Sequence, residues 1–319
     1  MIKITAPSRI HLGLIDLNGT CGRIDGGVGI ALNSPNIQII AEKSDFIEVS
    51  ESSLFKERIL KAINTVLPEN KGIKITVIQK IPDHVGLGSG TQVALSVAYA
   101  VNILYDLKFS VKELAIKVKR GGTSGIGIAG FEIGGIIIDG GHKFNEKLSF
   151  LPSSASNANP APIIFRHDFP DWDIILAIPK FKGAHDKKEI DIFKKECPIP
   201  LKEVQEVSHT ILMQMMPAII DNDIENFGNA INKLQAIGFK KREIFYQNKI
   251  VKDLMEYMQD NSFGAGMSSF GPLIYAITSN KNEGKILQKE VQKILDDAIG
   301  GFSLITRANN SGAIIEKIK

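Results

Sequence analysis

The segment Gly86-Leu87-Gly88-Ser89-Gly90-Thr91 stands directly before a long apolar stretch, Gln92–Leu107. Glycines let the backbone come close to a ligand and adopt positive φ. A helix opening here points the free N–H groups of its first turn outward, and its dipole adds partial positive charge. That combination makes an anion site, above all for phosphate. Ser89 and Thr91 add hydroxyl donors. A glycine turn capped by Ser89 is the alternative, because short glycine motifs match by chance often. The dipole contributes about 0.3–1 kcal/mol per anionic group, and about 2 when partly buried. A pyrophosphate-bearing ligand therefore needs cations or a divalent metal as well. Arg9, Arg23 and Arg120 each lie beside or within a glycine-rich stretch. Arginine grips phosphate through two parallel hydrogen bonds, although surface salt bridges are its commoner use.

The loop is neither of two familiar phosphate motifs. Thr91-Gln92 stands where a Walker loop carries its lysine. No strand–GxGxxG–helix unit with a downstream acid is present. Asp25 and Asp139 lie in or beside glycine-rich stretches, where their oxygens would suit Mg²⁺ or cap a turn. Asp16, followed by Asn18-Gly19, reads as a hairpin-turn residue. His11 shares a strand face with Arg9, and His142 closes Asp139-Gly-Gly-His. Either histidine is of a type that moves protons near neutral pH or serves as a satisfied structural group. Gly183-Ala184-His185, with Glu189 downstream, is a second-rank site. The Met213–Met216 cluster reads as helix packing, and the Lys112–Lys119 charges as a solvated helix face.

The elements that must hold these residues follow from periodicity. In Arg9–Leu14 the apolar Ile10, Leu12 and Leu14 alternate with Arg9, His11 and Gly13, a strand pattern. Ile37–Ile40, Ile73–Ile78, Ile136–Ile138, Trp172–Ile178, Leu273–Thr278 and Phe302–Arg307 read as further strands. Helical spacing marks Ser53–Leu67, Val111–Lys119, Leu201–Ile220, Ile224–Ile237, Val251–Gln259 and Lys281–Leu295, with Pro217 kinking or ending the fourth from last. The helix after Thr91 is apolar nearly all round, so it is expected to be buried. Gly121–Gly130 and Phe263–Pro272 are further glycine-rich loops, and Leu151–Pro162 is the best linker. Strands and helices interleave without βαβ regularity, which favours α+β.

At 319 residues, two domains are expected, divided at 1–155 and 156–319. With 44% hydrophobic and 23% charged residues, extended disorder, collagen and a disulfide-stapled miniprotein are excluded. The two cysteines, Cys21 and Cys197, sit in no CxxC pair and fit a reducing cytoplasm. A net charge of +3 points to neither nucleic acid nor membrane as a partner. The start, MIKITAPSRIHLGL, lacks the layout of a signal peptide, so a cytoplasmic location is expected.

Three segments together resemble the GHMP kinase superfamily. They are Pro7-Ser8-Arg9 running into Ile10-His11-Leu12-Gly13, Pro82 followed by Gly86-Leu87-Gly88-Ser89, and Gly264-Ala265-Gly266-Met267-Ser268-Ser269. The resemblance implies an N-terminal domain like the second domain of ribosomal protein S5 and a ferredoxin-like C-terminal domain. Kinases of this kind often carry a catalytic aspartate in the middle glycine-rich segment. Here Gly121–Gly130 holds no acid until Glu132. Longer strings, Ser8–Gly19, Gly22–Gly29, Gly86–Gln92, Gly122–Gly127 and Asp139–His142, resemble one branch, the β-ribofuranosylaminobenzene 5′-phosphate synthase family.

That resemblance implies a decarboxylating phosphoribosyl transfer in tetrahydromethanopterin biosynthesis. Phosphoribosyl pyrophosphate joins 4-aminobenzoate, or 4-hydroxybenzoate in some members, and CO₂ and pyrophosphate leave. It also implies a homodimer. Departing pyrophosphate needs N–H donors, arginine and Mg²⁺. No carbonyl electron sink is needed, so pyridoxal phosphate is not expected. Arg9, His11, Arg23 and Asp25 are the expected catalytic residues. Phosphate binding is expected from Gly86 through Thr91, from Arg120, Thr123, Ser124 and Gly125, and from Gly264, Gly266 and Ser268. Asp25 and Asp139 are the expected magnesium ligands.

Overall fold

A computed structural model of the chain describes all residues except 52, 53, 154, 157, 182–186 and 319. The chain opens with two long strands, β1 (Ile2–Asp16) and β2 (Arg23–Ser44), then β3 (Ile47–Ser50), α1 (Leu54–Val66) and β4 (Gly72–Gln79). In β1 the buried Ile2, Ile4 and Ala6 alternate with half-buried Lys3 and Thr5, which turns one face to the core. Asp16 accepts the N–H groups of Asn18 (2.7 Å) and Gly19 (3.0 Å), closing the β1–β2 hairpin. The register slips between His11 and Gly13, a local bulge beside the site.

Next come α2 (Ser89–Leu104), α3 (Val111–Lys117), α4 (Ile126–Glu132), β5 (Ile136–Asp139), β6 (His142–Lys143) and α5 (Phe144–Lys147). The α2 helix is buried over most of its surface, as its apolar circumference requires. It packs on α1, β1 and β2, and α4 packs on the same two strands.

The second half contains β7 (Ile163–His167), β8 (Asp173–Pro179), α6 (Lys187–Glu196), α7 (Leu201–Thr210), α8 (Met216–Ile220) and α9 (Ile224–Ala236). It ends with α10 (Gly238–Phe245), α11 (Lys249–Asp260), β9 (Gly264–Met267), β10 (Ile274–Thr278), α12 (Lys281–Ala298), β11 (Gly301–Thr306) and β12 (Ile314–Lys317). A π-helical segment, Ile211–Met215, joins α7 to α8 just before Pro217. Proline has no N–H to return to the preceding turn, so the ladder loosens there.

Two sheets organise the molecule. The first has the order β12-β1-β2-β4-β3, with β5 and β6 also paired to β2 and β7 paired to β5. The second is antiparallel, β11-β8-β10-β9. Its helices α9, α11 and α12 pack against these strands. The mixed architecture is α+β. The division at residue 155 does not match the sheets, because β7 and β12 both belong to the first one. The expected loop Phe263–Pro272 is in part a buried strand, β9, whose glycines admit α9: a Cβ on Gly264 would lie 2.4 Å from the Gly228 carbonyl oxygen.

Candidate functional site

The glycine loop and the start of α2 form one wall of a cavity of about 390 Å³. Gly88 takes φ 75° at the N-cap, a conformation that glycine adopts without strain. A Cβ there would also press on Arg9 Cγ at 3.2 Å. The N–H groups of Thr91 and Gln92 turn back to the Gly88 carbonyl, at 3.1 and 3.2 Å. Those of Ser89 and Gly90 stand in the first turn, where helix geometry leaves donors outward-facing. Ser89 donates its own hydroxyl to Asp83 Oδ1 at 2.6 Å. Its side chain is thus a brace for the loop, and its backbone N–H is the part offered to an anion.

Three arginines meet the loop. Arg9 donates from Nη1 to the Gly86 carbonyl (2.5 Å), and its backbone N–H donates to the Leu87 carbonyl (3.1 Å). Burial pushes its guanidinium down to about 10, against the pull of Glu189, so it stays charged at neutral pH. Arg120 lies opposite, with burial and then Arg58 lowering its pKa. Arg58, from α1, donates to Asp83 Oδ1 (2.8 Å) and touches His84 Nε2 (2.9 Å). All three line the cavity, with Glu189 the carboxylate among its walls.

A second cavity, of about 190 Å³, adjoins the first. The two share Arg9, Glu189, Ser269 and Phe270. Leu14, Phe193 and Phe270 give it apolar and aromatic walls, and His11, Ser124 and Glu243 supply polar groups. Behind it runs a hydrogen-bonded chain. Ser124 Oγ donates to Asp139 Oδ2 (3.0 Å) and lies 3.2 Å from His11 Nε2. With its hydrogen committed to Asp139, Ser124 accepts from His11, which fixes Nε2 as the protonated nitrogen and leaves Nδ1 with a lone pair. Burial, then Arg9 and Lys240, hold His11 well below the usual histidine range, so the ring is neutral. Gly27 makes room for this chain: a Cβ there would lie 2.9 Å from both His11 Nε2 and Ser124 Oγ.

Several expected site residues serve elsewhere. Asp25 is buried, and Lys147 Nζ donates to both its oxygens (3.0 and 2.8 Å) while His142 Nδ1 lies 2.6 Å from Oδ2. Asp139 is buried too. Its Oδ2 also accepts from Gly125 N (2.9 Å), and its Oδ1 from Gly141 N (3.0 Å). Neither carboxylate is open to a magnesium ion. Among the described residues, no three His, Cys, Asp or Glu side chains are grouped to hold a metal. The expected ligands do not fit the ion.

Arg23 turns away from both cavities and donates to the Gly140 and Gly141 carbonyls, each at 2.8 Å. Gly125 caps α4, with its N–H spent on Asp139. Thr123 and Ser124 line the second cavity instead of the glycine-loop cavity. Gly264 and Gly266 sit in β9 against α9, where a Cβ on Gly266 would lie 2.6 Å from Gln235 Cδ. Ser268 is buried; its hydroxyl donates to the Gly86 carbonyl (2.7 Å) and accepts the His11 N–H (2.9 Å). It positions the loop and does not face a ligand. Gly183, Ala184 and His185 lie outside the described residues.

Sequence reasoning missed Arg58, Ser269, Phe193, Phe270 and the buried ion pair Lys240–Glu243. Lys240 also donates to the Ser269 carbonyl at 3.0 Å. Arg58 stands 25 residues before Asp83, with strand β4 between, so no local signal in the sequence points to it.

Residues 54–135 match the model for the GHMP kinases N terminal domain, and residues 215–297 the model for the GHMP kinases C terminal domain. The beta-ribofuranosylphenol 5′-phosphate synthase of Archaeoglobus fulgidus is 44% identical over 317 residues, covering 99% of this chain and 100% of that one. Its counterpart in Methanocaldococcus jannaschii is 45% identical over 328 residues, covering 97% and 98%. The chain belongs to the β-ribofuranosylphenol 5′-phosphate synthase family. The family's fold extends to kinases. The L. major mevalonate kinase, solved with R-mevalonate, superposes with a TM-score of 0.71 at 13% identity, covering 97% of this chain and 96% of that one. Lactococcus lactis galactokinase, solved with galactose, gives 0.66 at 15% identity, covering 98% and 95%. In this synthase-family chain the segment Gly121–Gly130 presents Ser124 to the cavity and no carboxylate. Among the described residues, no helix is long and apolar enough to cross a membrane.

Proposed function

We propose that the chain joins phosphoribosyl pyrophosphate to 4-hydroxybenzoate, forming a β-ribofuranosylphenol 5′-phosphate in tetrahydromethanopterin biosynthesis. The relatives are named for a phenol product, which favours 4-hydroxybenzoate over 4-aminobenzoate. One observation carries the reading: Arg9 stands where a cation-lined glycine-loop cavity opens into an aromatic-walled one. The donor's pyrophosphate suits the first and the acceptor ring suits the second.

In this reading the bond from ribose C1 to pyrophosphate oxygen breaks, and Arg9 with the Ser89 and Gly90 N–H groups stabilises the departing charge. The ring carbon bearing the carboxylate bonds to C1. The carbon–carboxylate bond then breaks, its electron pair restores the aromatic ring, and CO₂ leaves. His11 Nδ1 receives the phenol hydrogen bond, which raises electron density at the para carbon. A neutral histidine suits that task, because an imidazolium has no lone pair to offer. A homodimer is also part of the proposal and is checked by sedimentation.

The test supplies purified protein with phosphoribosyl pyrophosphate, Mg²⁺ and carboxyl-labelled 4-hydroxybenzoate. Labelled CO₂ and pyrophosphate should appear in equal amounts. No CO₂ from either benzoate, with ADP formed from ATP and a hydroxylated acceptor, would overturn the reading.

A further inference from the structure

On the far side of Arg58 and Arg120 lies another hollow, of about 420 Å³. It shares those two arginines with the glycine-loop cavity. Lys61, Lys117 and Lys119 complete its charged wall, and Ala62 and Ala94 belong to its apolar lining. Among the described residues, no carboxylate lines it. Lys61 and Lys119 are exposed, and the Lys117 ammonium lies 4.4 Å from the centre of the Phe109 ring. Arg120 Nε is buried with no hydrogen-bond partner among the described residues. A buried guanidinium donor without a partner costs stability unless an anion satisfies it. Five cations around one hollow also repel one another, and a bound anion would relieve that repulsion.

The order of the three spaces along the cleft decides what that anion is. Arg9 joins the aromatic cavity to the glycine loop, and Arg58 and Arg120 join the glycine loop to the lysine hollow. Bond making and breaking both occur at C1, so the leaving pyrophosphate must sit next to the acceptor, on the glycine loop. A sugar donor of the proposed kind carries a second, separate phosphate at the opposite end of its ring. We infer that the hollow walled by Lys61, Lys117 and Lys119 is the subsite for the donor's 5′-phosphate, with Arg58 and Arg120 bridging the two phosphate subsites. This rests on the functional reading above and names specificity residues that it does not use.

The test is the double variant Lys61→Ala/Lys119→Ala, both sites being exposed on the hollow's rim. Losing one or two hydrogen bonds to a charged phosphate should raise KM for phosphoribosyl pyrophosphate about tenfold or more. KM for 4-hydroxybenzoate and kcat should stay near the wild-type values. Ribose 5-phosphate binding, measured by calorimetry, should weaken in parallel while inorganic pyrophosphate binding is kept. Lys61→Arg/Lys119→Arg should restore most of the loss. A double alanine variant that binds ribose 5-phosphate as wild type does, or that loses pyrophosphate instead, overturns the inference while wild-type turnover leaves the functional reading standing. A wild-type protein that neither turns over nor binds either probe overturns both.

Discussion

Asp25 was an expected catalytic and metal residue, yet its surroundings make it a buried counter-ion. The side chains of Asp25 and Lys147 are 0% and 2% exposed, and they meet at 2.8 Å. Lys147 also donates to Thr123 Oγ1 (3.1 Å) and to the Leu151 carbonyl (3.0 Å). Burial lowers the pKa of Lys147, and Asp25 opposes that. Asp25→Asn therefore leaves an ammonium buried without its anion. Breaking a buried pair from one side costs about 3–5 kcal/mol. At roughly 2–4 °C per kcal/mol for domains of this size, Tm should fall by roughly 6–20 °C. Asp25→Asn/Lys147→Met removes both charges together and should melt above the single variant. The assay is thermal melting by circular dichroism, paired with labelled CO₂ release well below each Tm. Activity per folded molecule should stay within about tenfold of wild type, since no transition-state donor is lost. An unchanged Tm with CO₂ release down more than about 100-fold would falsify the structural role and return Asp25 to the chemistry.

Arg9→Ala should cost about 3–4 kcal/mol of transition-state stabilisation, or about 10²–10³ in kcat, whereas Arg23→Ala, outside both cavities, should cost less than about tenfold. Equal losses in steady-state kinetics would contradict that division. Gly27→Ala should part His11 from Ser124, because the new methyl lies 2.9 Å from each; the variant should keep its circular dichroism spectrum and lose CO₂ release. Asp139 is raised to about 6, chiefly by burial, against hydrogen bonds from Gly141, Gly125 and Ser124. The folded chain thus holds a proton that an unfolded aspartate loses near pH 3.9. The resulting stabilisation is full below that value and gone as pH rises through about 6. The Tm of wild type minus that of Asp139→Asn should therefore grow as pH falls from about 7 to about 4, and a constant difference would refute the shift.

The glycine loop, Arg9, His11 and Arg120 could be read from the sequence because the signal was local. Gly86–Thr91 directly precedes an apolar helix, and Arg9 and His11 sit two apart on one strand. Asp25 and Arg23 could not be sorted the same way. A polar residue beside glycines looks alike in a sequence whether it faces a cleft or a buried lysine 122 positions away. Gly264 and Gly266 look like a ligand loop, but helix packing also demands missing side chains. Phe193, Phe270 and Glu243 reach the second cavity from three separate segments. Only the tertiary fold brings them together, as it alone brings β7 and β12 to the first sheet.

Ser268 comes from the second half of the chain, and its one hydroxyl grips both the strand bearing His11 and the carbonyl of Gly86. That carbonyl also receives Arg9. The two halves are thus tied together beside the glycine loop, and a hinge that swung them apart would break both bonds of Ser268. One buried hydroxyl therefore couples the placement of the glycine loop to that of the His11 strand, so a change in either half of the chain is felt in the other.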